Sequence, residues 1–165
     1  MVWVMFNGAL TQILLLGLAT TLIVAAAIDV RTFRISNRLN LGVALVAPVY
    51  WLSVALPLWP DVGIQLAAGA IVFVLLAGAF YAGMMGGGDV KLASALALWF
   101  SPGGTIKFLV FMSLAGGLLT LGIVLWHRAK RREGRPEIPY GVAIAVGALA
   151  ILAPILTQRF LNQFV

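Results

Sequence analysis

The sequence predicts an all-α, polytopic integral membrane protein of six helical segments with both termini outside. Three observations predict it. The composition is 62% hydrophobic and only 10% charged, where a soluble domain carries roughly 25% charged residues. Charges are confined to short stretches separated by long apolar runs. The basic residues also fall on one side of the resulting topology. A single soluble domain, a disordered chain and a nucleic-acid module are excluded, because so little polar surface cannot cover a soluble core. The net charge of +6 comes from 11 basic and 5 acidic residues, and membrane orientation accounts for it. With no cysteine, disulfides, thiolate nucleophiles and Cys-ligated zinc are ruled out.

The elements follow from the uncharged runs. Residues 1–28, 39–60, 62–88 and 138–158 carry no charge, and 92–126 carry only Lys107. A helix crossing the hydrocarbon core needs roughly 20 apolar residues, which places spans near 9–28, 40–59, 64–84, 106–126 and 139–158. They are helices because the backbone must satisfy itself in lipid, and the runs lack the alternation of a barrel strand. Ser101-Pro102-Gly103-Gly104 is a turn signal, so a short fourth helix over 91–100 precedes the fifth. With an outside N-terminus, the inner loops 29–38, 85–91 and 127–137 hold 9 of the 11 Lys and Arg residues. A five-span count would put the basic cluster at 128–135 outside, against the positive-inside rule. The first span has no basic residue before it and reads as retained rather than as a cleaved signal. Residues 1–165 read as one membrane-embedded domain.

Carboxylates are costly in a membrane protein and mark functional candidates. Asp61 follows Pro60 in an outer turn and reads as a turn residue. Glu133 and Glu137 read as surface charges offsetting the basic loop. Asp29 and Asp89 are distant in sequence yet end up at the same inner boundary. One reading makes them interfacial caps, with Asp89 capping a helix that starts at Val90. The other makes them a pair that hydrolyses an amide. One ionised carboxylate draws a proton from water, and the other, protonated, polarises the carbonyl and protonates the leaving nitrogen. Such a pair shares a proton, because two close carboxylates do not both ionise readily. Lys91 must then point away or be screened. Gly86, Gly87 and Gly88 permit positive φ or close backbone approach beside Asp89; an ordinary flexible loop is the alternative.

The residues around these aspartates resemble a known family. Gly86-Gly87-Gly88-Asp89-Val90-Lys91-Leu92 resembles the GxGDxK(L) signature of prepilin peptidases, the membrane aspartyl proteases that trim type IV pilin precursors. Asp29 followed by Arg34-Ile35-Ser36-Asn37 resembles the family's first motif, and Ile138-Pro139-Tyr140-Gly141 the motif opening its last helix. Ser36 and Val142 stand where proline is frequent. The resemblance covers nearly the whole chain. It implies Asp29 and Asp89 as the catalytic pair and a substrate with a short basic leader ending in Gly before a hydrophobic helix. Cleavage is implied at the cytoplasmic face of the bacterial inner membrane. The length, and the absence of the N-terminal methyltransferase-associated insertion with paired cysteines, resemble the short peptidase-only form of tight-adherence (Flp-type) pilus systems. The implied partners are a Flp-type prepilin and the lipid bilayer, without nucleic acid, cofactor or metal. The oligomeric state is left open.

Supporting residues have two readings each. If the first helix continues past Asp29, Arg31, Arg34 and Arg38 lie about 140–200° from it and face lipid headgroups, while Asn37 lies about 80° away and helps orient the site or forms a turn. Lys91 either snorkels to the interface or meets an acidic group on the pilin. His127 reads as a helix C-terminal or interfacial residue. Gly83 and Gly87 read as close-packing positions, and Gly116 and Gly117 either as the same or as loosening the fifth helix. Trp3, Trp51, Trp59, Trp99 and Trp126 read as an aromatic belt. Two rival functions stand beside the peptidase: a small transporter or proton pathway, and a non-catalytic subunit of a pilus or secretion assembly.

Overall fold

The computed structural model describes residues 2–131, 134 and 136–161, with side chains from residue 7 onward. Among these residues there are six α-helices and no strand. They are α1 (Val2–Thr32), α2 (Asn37–Ser53), α3 (Gly63–Tyr81), α4 (Gly87–Ala97), α5 (Pro102–Ala129) and α6 (Tyr140–Leu161), with a short π-helical turn at Leu58–Val62 before α3. All six expected helical segments are present. Four helical stretches are long and apolar enough to cross a membrane: Asn7–Thr32, Leu58–Tyr81, Pro102–Ala129 and Tyr140–Leu161.

The remaining two helices are shorter. The expected span 40–59 ends at Ser53, because Ala55 turns to positive φ and Pro57 follows, disfavouring helix at the residue before it. α4 has 11 residues, so its rise of about 16 Å covers only half of a hydrocarbon core of about 30 Å.

α4 is the hub of the fold. It packs against α2, α3 and α6, while α6 also packs against α1 and α5; α3 and α5 touch only lightly. Eight residues of α4, from Asp89 to Ala97, are buried. Alanine, serine and leucine suit that position, since a helix covered on all sides needs no polar face. Its ends still carry unpaired backbone groups. At the C-terminal end the Leu98 carbonyl accepts from Trp51 Nε1 at 2.7 Å and from Gln65 Nε2 at 3.1 Å. Trp99 Nε1 donates to the Val43 carbonyl at 3.0 Å.

These bonds revise the aromatic belt. Trp51 and Trp99 are core residues, each burying its ring and giving its indole N–H to a carbonyl. Trp59 and Trp126 are exposed, and the side chain of Trp3 lies outside the described residues. The outer surface is instead a broad apolar skin, including Leu45, Leu66, Val74 and Leu118, which suits a lipid solvent rather than water.

The glycine expectations divide similarly. Gly83 does not pack helices; it follows α3 with φ +69° and turns the chain. Gly87 meets Phe80, Gly116 meets Tyr140 and Ala143, and Gly117 faces open space. His127 lies in the last turn of α5 as expected, with Nε2 3.1 Å from the Gly134 carbonyl. Arg132, Glu133 and Arg135 lie outside the described residues.

Candidate active site

Three chain segments converge on one point. α1 runs to Thr32, so Asp29 sits one turn from its end and is 3% exposed. The chain leaves the helix at Phe33, which takes positive φ. Ser36 then caps α2, its hydroxyl accepting from the Leu39 N–H at 3.2 Å. A proline at 36 could not do this, so the departure from the family pattern has a local structural role.

Ile35, between the two helices, is the wedge of the site. A Cβ on Gly88 would stand 2.8 Å from the Ile35 carbonyl oxygen. A Cβ on Gly141 would stand 2.9 Å from Ile35 Cδ1 and 2.8 Å from Asp29 Oδ2. The glycines therefore let α4 close on the α1–α2 link and α6 on the link and the end of α1. The Gly141 N–H, at the start of α6, donates to Asp29 Oδ2 at 2.7 Å. It is one of the free amides at a helix N-terminus, where a negative oxygen is favoured.

Asp89 is 8% exposed and lies in the first turn of α4. The expected cap of a helix starting at Val90 is corrected here. The helix starts at Gly87, Gly86 is the N-cap, and Asp89 reaches back to accept from the Gly86 N–H at 3.1 Å. A Cβ on Gly86 would fall 2.7 Å from Asp89 Oδ2. Burial foremost, and then the charge of Asp29, push the Asp89 carboxyl up to about 6, against the Gly86 hydrogen bond that lowers it.

Both aspartates open into one cavity of about 270 Å³, walled by Phe33, Met84, Met85, Glu137 and Tyr140 among others. Its described lining contains three carboxylates and no Lys, Arg or His. A buried carboxylic acid beside a second carboxylate, with room for water, is able to run paired acid and base catalysis on a carbonyl.

The other expected site residues lie elsewhere. α1 does not continue to Asn37, so the angular estimate from Asp29 does not apply. Asn37 opens α2, and its Oδ1 accepts from Lys91 Nζ at 2.8 Å. Both line a separate groove between α2, α3 and α4 rather than the aspartate cavity. Lys91 is thus tied off away from the pair. Arg31, Arg34 and Arg38 are exposed.

Sequence reasoning passed over three residues. Glu137, read as a surface charge, is exposed but lines the aspartate cavity. Gly141 was noted only as part of a motif. Asn40, on the buried face of α2, donates from Nδ2 to the Gly88 carbonyl at 2.9 Å. A polar residue in the uncharged run 39–60 was the available signal for Asn40, since a buried amide needs a partner.

Searches of curated proteins and of solved structures returned no match. Residues 16–121, more than half of the chain, match the type IV leader peptidase family. The matched region includes Asp29, the Gly86-Gly87-Gly88-Asp89 segment and Lys91. On that match the protein, an apolar all-helical chain with two buried carboxylates at one cavity, belongs to the type IV leader peptidase family.

Proposed function

We propose that the protein is an aspartyl endopeptidase that removes the short basic leader from Flp-type prepilins at the cytoplasmic face of the bacterial inner membrane. One observation carries this reading: Asp29 and Asp89, brought from two helices, are both buried and line one cavity of about 270 Å³. Asp89 holds the shared proton and is the acid; Asp29 is the base that activates water. Water adds to the scissile carbonyl, Asp29 taking its proton while Asp89 hydrogen-bonds the carbonyl oxygen. A proton then passes to the leaving nitrogen as the C–N bond breaks. No covalent intermediate is needed.

The membrane side is argued from charge. Six helical segments with both ends outside place Arg31, Arg34, Arg38, Lys91 and the cluster from Arg128 on the inner side, as the positive-inside rule favours. Asp29 and Asp89 lie at that same boundary. Gly86, Gly87 and Gly88 shape the Asp89 turn, while Asn37 and Lys91 hold α2 to α4 around it.

The test is co-expression with a Flp-type prepilin and mass spectrometry of the pilin, using wild type, Asp29→Asn and Asp89→Asn at matched membrane levels. Loss of the leader with wild type alone supports the two-aspartate peptidase. Equal processing by all three sinks it.

A further inference from the structure

A second cavity, of about 550 Å³, lies between α3 and α5 and adjoins the aspartate cavity. Met84, Met85 and Tyr140 line both. Leu76 of α3 and Met112, Gly117 and Val124 of α5 are among the second cavity's other lining residues, which are apolar apart from Ser113 and Thr120. From Met112 to Val124 the groove follows α5 for about 18 Å, or roughly three helical turns. It exists because α3 packs on α4 and barely touches α5. Gly116 is filled by Tyr140 and Ala143, whereas a Cβ on Gly117 would meet nothing within 4 Å. Tyr140 stands at the junction, its hydroxyl 3.5 Å from Thr120 Oγ1.

We propose that this groove seats the apolar membrane helix of the substrate, and that Met84, Met85 and Tyr140 lead the end of that helix to Asp29 and Asp89. The inference rests on the peptidase reading above. Two features select this occupant. The groove and the aspartate cavity share three side chains as a common border, so a chain lying in the groove ends beside the carboxylates without crossing a helix. The chemistry also changes along the path, from an apolar wall to a cavity with three carboxylates and no described cation. That sequence complements a segment that is apolar and then positively charged, entering as one piece. A lipid acyl chain would match only the apolar half. The methionines suit a surface that repacks around different side chains, and Gly117 leaves room for a helix to approach closely.

The absence of cysteine in the chain makes a direct test simple. Gly117→Cys and Gly122→Cys are each introduced into an Asp89→Asn background, which keeps the substrate intact. A prepilin bearing one cysteine at successive positions of its apolar helix is co-expressed with each and oxidised. Gly122 also faces open space but lies outside the groove. Disulfides are expected from position 117, recurring every three to four substrate residues, and none from 122. In parallel, Gly117→Leu is expected to raise KM about tenfold for full-length prepilin but not for a short soluble peptide that spans the leader and the cleavage site and lacks the rest of the apolar helix. Crosslinking from 122 in preference to 117, or from neither while wild type cleaves the same prepilin, overturns the groove and leaves the peptidase standing. Failure of wild type to cleave at all removes the peptidase reading, and this one with it.

Discussion

The Gly141 amide donates to Asp29 Oδ2 at 2.7 Å, joining residues 112 apart in the chain. That bond sets the N-terminal end of α6 against the end of α1, and no side chain at 141 fits between them. A methyl group there would stand 2.8 Å from Oδ2 and 2.9 Å from Cγ of Asp29. Gly141→Ala is therefore expected to displace the carboxylate and slow prepilin cleavage by about 10- to 100-fold, the scale of a misplaced catalytic group. Initial rates of leader removal at matched protein levels check it. A wild-type rate would show that the close approach is not needed for cleavage.

The three consecutive glycines are not equivalent. A Cβ at Gly88 would meet the Ile35 carbonyl oxygen at 2.8 Å, and the backbone there cannot yield without moving α4. At Gly86 it would meet Asp89 Oδ2 at 2.7 Å, and at Gly87 only the Phe80 ring at 3.4 Å. Gly88→Ala is expected to lose the most stability, on the order of 1–3 kcal/mol as for other overpacked positions. Gly86→Ala disturbs Asp89 and lowers activity before stability, and Gly87→Ala is tolerated. Thermal unfolding in detergent together with cleavage rates separates the three. An equal effect at all three positions would mean the segment is uniformly flexible.

Stability should fall as pH rises from about 4 to 6. The Asp89 carboxyl sits at about 6 in the folded protein, above its ordinary 3.8. Within that window the folded state keeps a proton that the unfolded chain has released. Raising the pH through it therefore costs stability, roughly 3 kcal/mol in all for a shift of about two units. Asp89→Asn should flatten the profile, and Asp29→Asn should move the Asp89 midpoint downward by removing a neighbouring charge. Cleavage should decline above about pH 6 as the acid loses its proton. Unfolding midpoints across this range would decide it; an Asp89→Asn profile identical to wild type counts against the assignment.

Lys91 and Asn37 should behave as one unit. Their 2.8 Å bond is exposed, so Lys91→Met and Asn37→Ala should each change stability by no more than about 1 kcal/mol. Each is expected to slow cleavage by a similar factor, through looser packing of α2 on α4, with no further loss in the double variant. Rates and melts for the two singles and the double test this. Additive losses would show that the two side chains act separately.

Much of the architecture is legible in the sequence. Uncharged runs and the Ser101-Pro102 turn mark where the six helices lie, though not all of their ends, because apolar length and turn chemistry are local properties. The Pro57 stop and the burial of Trp51 were less legible. The first cuts an apolar run that hydropathy reads as continuous. The second depends on a carbonyl at Leu98, 47 residues away.

The sequence by itself determined an apolar helical protein and the two acids worth attention, since charge in an apolar chain is scarce and costly wherever it falls. Only the tertiary structure decided what surrounds those acids. It set Gly141 on Asp29, Ile35 between two glycines, Lys91 on Asn37 rather than near the pair, and Glu137 at the cavity wall. Periodicity says which way a residue faces along its own helix. Which helix it then meets depends on packing among segments separated by tens of residues, and the close approaches to Ile35 and Asp29 are possible because Gly88 and Gly141 lack a Cβ on their side of the contact.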